Sequence, residues 1–234
     1  MKVEICANSF KSAKAAHEGG AHRIELCSQL AVGGLTPSKK ELEKVTLELG
    51  IPVHVLIRPR KGDFCYSEEE IIQMIKDIEY CKSIGCTGIV SGSLTKNRDV
   101  NMYQTQRLLE ASNGMVFTFH RAFDEVRDPY GAIEDLKELK IDRLLSSGQK
   151  LTAIEGLPLL ITLNDRIHGK FELMPGGGIN SNNVLAFKDV GFQSVHLSAT
   201  SNKKKKSKNN SLFDTGFEGT SNLELIKKIV SQLT

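Results

Sequence analysis

The sequence predicts an α/β fold: a single-domain (β/α)8 barrel of the TIM type over residues 1–234. Three observations predict it. Eight short apolar runs each end in polar or glycine-rich residues, and after most of them the chain reads as a helix. Strands alternating with helices imply a parallel sheet. The length of 234 residues is near the roughly 250 typical of one such barrel, and no linker divides the chain.

Strands are expected at 2–6, 22–27, 53–58, 87–91, 115–120, 142–146, 171–174 and 194–198. Helices are expected at 9–18, 37–49, 68–84, 101–111, 130–139, 150–163, 181–189 and 221–233. Thr36-Pro37 and Asp128-Pro129 each place an N-cap acceptor before a proline at the first helical position. Ser67 and Glu70 fit a capping box. Ile71, Ile72, Ile75, Ile78 and the Cys81/Cys86 pair form a helical stripe that packs on a sheet. Residues 199–220, rich in Ser, Asn, Lys and Gly, are expected to form a long loop after the last strand.

Composition excludes several classes. Hydrophobic content of 40% and charged content of 25% are ordinary for a globular protein. No apolar run approaches the roughly 20 residues that span a bilayer, so no membrane partner is expected. The N-terminus reads as a strand without a signal-peptide pattern, which makes the cytoplasm the expected location. The net charge of +3 is local: Lys203, Lys204, Lys205, Lys206 and Lys208 supply more than all of it. The body is therefore no basic nucleic-acid binder, and the lysine run reads as a solvated loop. Five cysteines without Cys-x-x-Cys spacing fit reduced thiols, with Cys81 and Cys86 as packing residues. His17, His22 and His168 read as surface residues.

Alternation along each strand sorts side chains between helices and barrel interior. Val3, Ile5, Ile24, Leu26, Val55, Ile57, Phe117, Phe119, Val195 and Leu197 face the helices. Glu4, Cys6, Glu25, Cys27, Arg58, Thr118, His120, His196 and Ser198 then face inward. Buried charges need one another, so this set is either a self-satisfied plug or a binding or catalytic site. Cys6 and Cys27 stand on neighbouring strands, about 4.8 Å apart, at what parity suggests are equivalent heights. Two such thiols could grip one soft ion such as Cu(I), or simply fill the barrel end. Cys65, after the third strand, could add a third sulfur.

The other half of the mouth suits an anion. Gly176, Gly177 and Gly178 follow the seventh strand, where barrels often bind phosphate at a helix N-terminus. The same glycines could serve only a tight turn. Ser146, Ser147, Gly148 and Gln149 follow the sixth strand, and Arg58, Arg60, Arg121 and His196 share the rim. A small phosphorylated or carboxylated ligand is the expected guest.

Glu4-Ile-Cys6, residues 20–27 ending in Glu25-Leu-Cys27, residues 33–38, Ile57-Arg-Pro-Arg60, residues 62–67, residues 118–124, Ser146-Ser-Gly-Gln149 and residues 174–179 together resemble the copper homeostasis protein CutC family. The resemblance covers residues 1–198. It implies a TIM-type barrel, a cytoplasmic homodimer or larger oligomer, and a role in copper handling. It places Cu(I) on Cys6 and Cys27, and a polar mouth on Glu4, Glu25, Arg58, Arg60, His120, Arg121 and Asp124. Where the family carries a tyrosine-arginine element after the last strand, this chain has Asn202 followed by lysines.

Two functional readings result. One is a copper homeostasis protein holding Cu(I) through Cys6 and Cys27. The other is a barrel hydrolase, isomerase or lyase acting on a small anionic metabolite, with Glu25, His120, Glu4 and Asp124 as acid–base candidates.

Overall fold

In the computed structural model, which describes residues 1–200 and 219–234, eight parallel strands form one sheet in the order β7-β6-β5-β4-β3-β2-β1-β8. They are β1 Lys2–Ala7, β2 Arg23–Leu26, β3 Val53–Leu56, β4 Gly88–Ser91, β5 Val116–Phe119, β6 Arg143–Ser146, β7 Glu172–Pro175 and β8 Ser194–Leu197. A parallel bridge between Gly176 and His196 brings the two edge strands together into a nearly closed barrel. The TIM-type barrel expected from the strand–helix alternation is therefore what the chain forms. The lysine run at 203–208 lies outside the described residues.

Among the described residues, eight helices surround the barrel: α1 Phe10–Glu18, α2 Lys39–Glu48, α3 Glu68–Ser83, α4 Met102–Ala111, α5 Pro129–Leu139, α6 Leu157–Ile167, α7 Val184–Val190 and α8 Leu223–Leu233. Asp128 caps α5 through the Tyr130 amide, with Pro129 opening the helix. Ser67 and Glu70 form the full capping box of α3.

Three local expectations are corrected. Helix α2 starts two residues after Pro37, with Ser38 as its cap, because Thr36 Oγ1 accepts instead from the Arg58 amide. Helix α6 starts at Leu157, not at 150, because the preceding loop folds back on itself. There the backbones of Gly148 and Gly156 pack so closely that a Cβ on Gly156 would lie 1.9 Å from the Ser147 carbonyl oxygen. On α3 the buried stripe is Ile71, Met74, Ile78 and Cys81, whereas Ile72 is exposed.

Alternation holds along the strands. Val3, Ile5, Ile24, Leu26, Val55, Ile57, Phe117, Phe119, Val195 and Leu197 belong to the large core between sheet and helices. Each fully buried large side chain there contributes about 1.5–3 kcal/mol relative to exposure. Cys6, Cys27, Leu56 and Val90 form a separate small cluster inside the barrel. Cys81 and Cys86 sit in the outer core as packing residues. His17, His22 and His168 are exposed, although His22 Nδ1 accepts the Val3 amide.

Candidate metal centre and barrel mouth

The lower barrel is filled by charge. Glu4 pairs with Arg23 on β2 at 2.5 Å and lies 3.7 Å from His54 on β3. Arg143 on β6 pairs with Glu172 on β7 at 2.8 Å and reaches Thr118 Oγ1 at 3.3 Å. Ser194 links the two pairs, accepting from Arg23 and donating to Glu172. Burial alone would raise the Glu4 carboxyl, but Arg23, helped by His196 and His54, holds it well below the usual carboxylate range. Burial pushes His54 down to about 4, against the pull of Glu4. Its ring lies over Gly88, where a Cβ would come within 2.7 Å of it. This network is the plug that the buried charges require.

Above the plug, side chains of three strands converge. Cys6 Sγ lies 3.7 Å from Cys27 Sγ, both buried. The two residues are not at equivalent heights: the register pairs Cys6 with Glu25, so Cys27 stands two residues further along β2. The sulfurs meet because the strands of a barrel are tilted and staggered. That stagger also brings Glu25 beside Cys6. Ligand atoms of Cys6, Glu25 and His196 all lie within 4.8 Å of one another.

His196, expected on the anion side of the mouth, is bridged to Gly176 and also joins this cluster. Its Nδ1 donates to Glu4 Oε1 at 2.8 Å and lies 3.9 Å from Glu25 Oε2. Burial opposes its charge, yet Glu25, the Cys6 thiol and Glu4 raise its pKa well above the usual value. Burial pushes Glu25 up to about 7, partly offset by His196. The contact with Cys27, followed by burial, pushes the Cys6 thiol up.

The donor set fits a soft ion. A linear bridge between two sulfurs would separate them by about 4.6 Å, twice a metal–sulfur bond of about 2.3 Å. The observed 3.7 Å is shorter, which leaves one side open to a third donor. A histidine whose other ring nitrogen is held by a carboxylate is the usual form of such a donor.

The mouth opens into a cavity of about 720 Å³ whose lining includes the cluster residues Cys6, Glu25 and His196 and also Arg58, Phe64 and His120. Arg58 is buried and donates to the carbonyls of Val32, Gly34 and Gly62. His120 is buried against Phe64, with ring centroids 4.8 Å apart. Burial and the charge of Arg58 push His120 down to about 3.

Several predicted site residues have other employment. Arg60 is bound to Glu70 at 2.6 Å and Asp63 at 3.0 Å and does not line the cavity. Asp124 accepts from Arg121, Ser146, Ser147 and the Gln149 amide, so it organises the loop after β6 and has no lone pair left for acid–base work. Ser146 Oγ in turn accepts the Gly148 amide, and the Gln149 side chain donates to Val126. That loop closes on itself and offers its donors inward. Gly177 and Gly178 do line the mouth, whereas Gly176 spends its amide on the Ser146 carbonyl. No helix N-terminus backs them, since α7 begins only at Val184 and has seven residues. Cys65 does not line the cavity, and its carbonyl accepts from Arg60.

Arg23, His54, Arg143 and Glu172 escaped the sequence reading. Each shares parity with an inward residue two positions further along its strand, so the same alternation carried one step down would have found them.

The sequence model of the CutC family matches residues 1–201. A family protein CutC of Pasteurella multocida is 42% identical over 199 residues, covering 85% of this chain and 82% of that one. Its counterpart in Chromobacterium violaceum is 46% identical over 198 residues, covering 84% and 80%. The crystal structure of a CutC from Streptococcus agalactiae, provisionally described as a copper homeostasis protein, superimposes with a TM-score of 0.80 at 30% identity, over 85% of this chain and 98% of that one. A monomeric phosphoribosylanthranilate isomerase from Thermotoga maritima reaches a TM-score of 0.61 at 13% identity, over 100% of this chain and 98% of that one, and shares the barrel alone. With a family model spanning most of its length and relatives above 40% identity, the chain belongs to the CutC family.

Proposed function

We propose that this protein serves copper homeostasis by binding Cu(I) inside the barrel mouth, through Cys6 and Cys27 with His196 as third donor. The observation that carries this reading is the approach of two buried thiols to 3.7 Å with the His196 imidazole beside Cys6. Soft sulfur ligands select Cu(I) over harder ions. Glu4 acts behind the site: by accepting from His196 Nδ1 it fixes the ring and leaves Nε2 as the free donor nitrogen. Glu25 flanks the same space and, raised to about 7, can accept one of the protons that leave the thiols. The copper role described for the Streptococcus agalactiae protein supports the reading. A cytoplasmic location is part of it, because both thiols must stay reduced.

The acid–base enzyme reading is weaker. Asp124 is saturated, Glu4 is locked to Arg23, and His120 is too weak a base near neutral pH. Of the four candidates only Glu25 is tuned close to 7.

Anaerobic titration with Cu(I) against a chromogenic Cu(I) chelator tests the proposal. The wild type should take up one Cu(I) per chain, and Cys6→Ser/Cys27→Ser should lose it. His196→Gln should bind at least about 10-fold more weakly, since losing even a partner behind a ligand costs about 10- to 100-fold. Equal affinity in the double variant would refute the reading.

A further inference from the structure

Arg58 is 2% exposed and makes no ion pair among the described residues. Three of its hydrogen bonds go to backbone carbonyls, and its Nε is buried without a partner. A buried guanidinium without an anion is costly. One other buried polar atom without a partner among the described residues belongs to a side chain within reach of its charge: His120 Nε2.

Both orphans, Arg58 Nε and His120 Nε2, are donors. His120 Nδ1 accepts the Ala122 amide, so the proton of the neutral ring sits on Nε2. The low basicity of His120 keeps the ring in that neutral form. The Tyr66 hydroxyl lies beside the Arg58 guanidinium and accepts from it, and Glu125 acts on it from further away without forming an ion pair. Arg58 and His120 bracket the same ring: the guanidinium stacks 4.8 Å from the Phe64 centroid, and the His120 ring meets Phe64 edge-on at 4.8 Å. Arg58, Phe64 and His120 all line the cavity of about 720 Å³. A size of roughly 300–1,000 Å³ is that of a small-molecule site.

We propose that this wall of the mouth binds a small organic oxyanion, a carboxylate or phosphate ester, whose charged end is received by Arg58 and His120. The anion supplies the direct ion pair that Arg58 lacks, since Glu125 and Asp63 act on it only from a distance, and an acceptor for the His120 N–H. Leu30, Leu56 and Leu145 line the rest of the chamber and suit an uncharged body on the ligand. The site is distinct from the thiol cluster, shares its chamber, and does not depend on copper.

Isothermal titration and thermal-shift measurements on the full chain test it, with inorganic phosphate, succinate and glycerol 3-phosphate as probes and glycerol as the uncharged control. At least one anionic probe should bind saturably and raise the melting temperature by about 5 °C at 100 times its Kd. Glycerol should do neither. Arg58→Gln should weaken the binding about 10- to 100-fold, as expected for a hydrogen-bonded charge. His120→Phe keeps the stacked ring, removes the donor and should weaken binding about 3- to 10-fold. Cu(I) stoichiometry should be unchanged in both. Should Arg58→Gln fail to fold, His120→Phe decides. Saturable binding by none of the three anions, or equal binding in His120→Phe, overturns the proposal.

Discussion

Cys6 and Cys27 bring their sulfurs to 3.7 Å even though the strand register pairs Cys6 with Glu25. The diagonal meeting has a consequence for chemistry. A level pair of cysteines would present two sulfurs and nothing else. The staggered pair leaves Glu25 level with Cys6 on β2, while on β8 the register sets His196 level with Glu4. Sulfur, nitrogen and oxygen donors therefore share one place.

The side chain of Glu4 joins this site to the plug beneath it. Glu4→Gln would leave the buried Arg23 charge uncompensated and release His196. A loss of about 3–5 kcal/mol of stability is expected, measured by urea unfolding at pH 7.5. A change below about 1 kcal/mol would show that Arg23 finds another partner.

Acid should destabilise the fold through His120. Its ring faces Arg58 and Phe64, and its folded pKa of about 3 lies below the ordinary 6.5. Above pH 6.5 the ring is neutral in both states. Below it the unfolded chain takes the proton first, so stability falls with pH, at about 1.4 kcal/mol per unit, until about pH 3. Glu25, raised to about 7, works the other way, because the folded chain takes that proton first. Comparing His120→Phe with the wild type between pH 6.5 and 4.5 isolates the histidine. The variant should lose about 2–3 kcal/mol less over that range. Identical slopes would contradict the assignment.

Asp124 gathers the loop after β6, although its position beside His120 and Arg121 invites a catalytic reading. Asp124→Asn keeps the shape but turns an amide toward donors such as Ser147 N and Gln149 N. The expected cost is about 2–4 kcal/mol with Cu(I) binding intact. Lost Cu(I) binding in a folded variant would place Asp124 in the metal site instead.

The barrel was legible because every strand obeys period-two alternation and most helices carry a local start signal, such as Ser67 with Glu70 or Asp128 with Pro129. Parity also identified Cys6, Cys27, Glu25 and His196 as inward-facing. It could not show the register, which places His196 beside Cys6 and Glu25 as well as beside Gly176. Nor could it show which arginines are already engaged. Arg58 and Arg60 are two residues apart in sequence, yet one lines the chamber and the other is tied to Glu70 on α3. Such distinctions depend on tertiary partners. Nor could parity show that α7 begins only at Val184, six residues past Gly178, since that distance is set by packing and not by the glycines.

X-ray absorption at the copper edge of the Cu(I)-loaded chain tests the central claim most directly. Two sulfur scatterers and one lighter neighbour are expected, with the sulfur contribution lost in Cys6→Ser/Cys27→Ser and the lighter neighbour altered in His196→Gln. A spectrum without sulfur, or one unchanged by the double substitution, would contradict it.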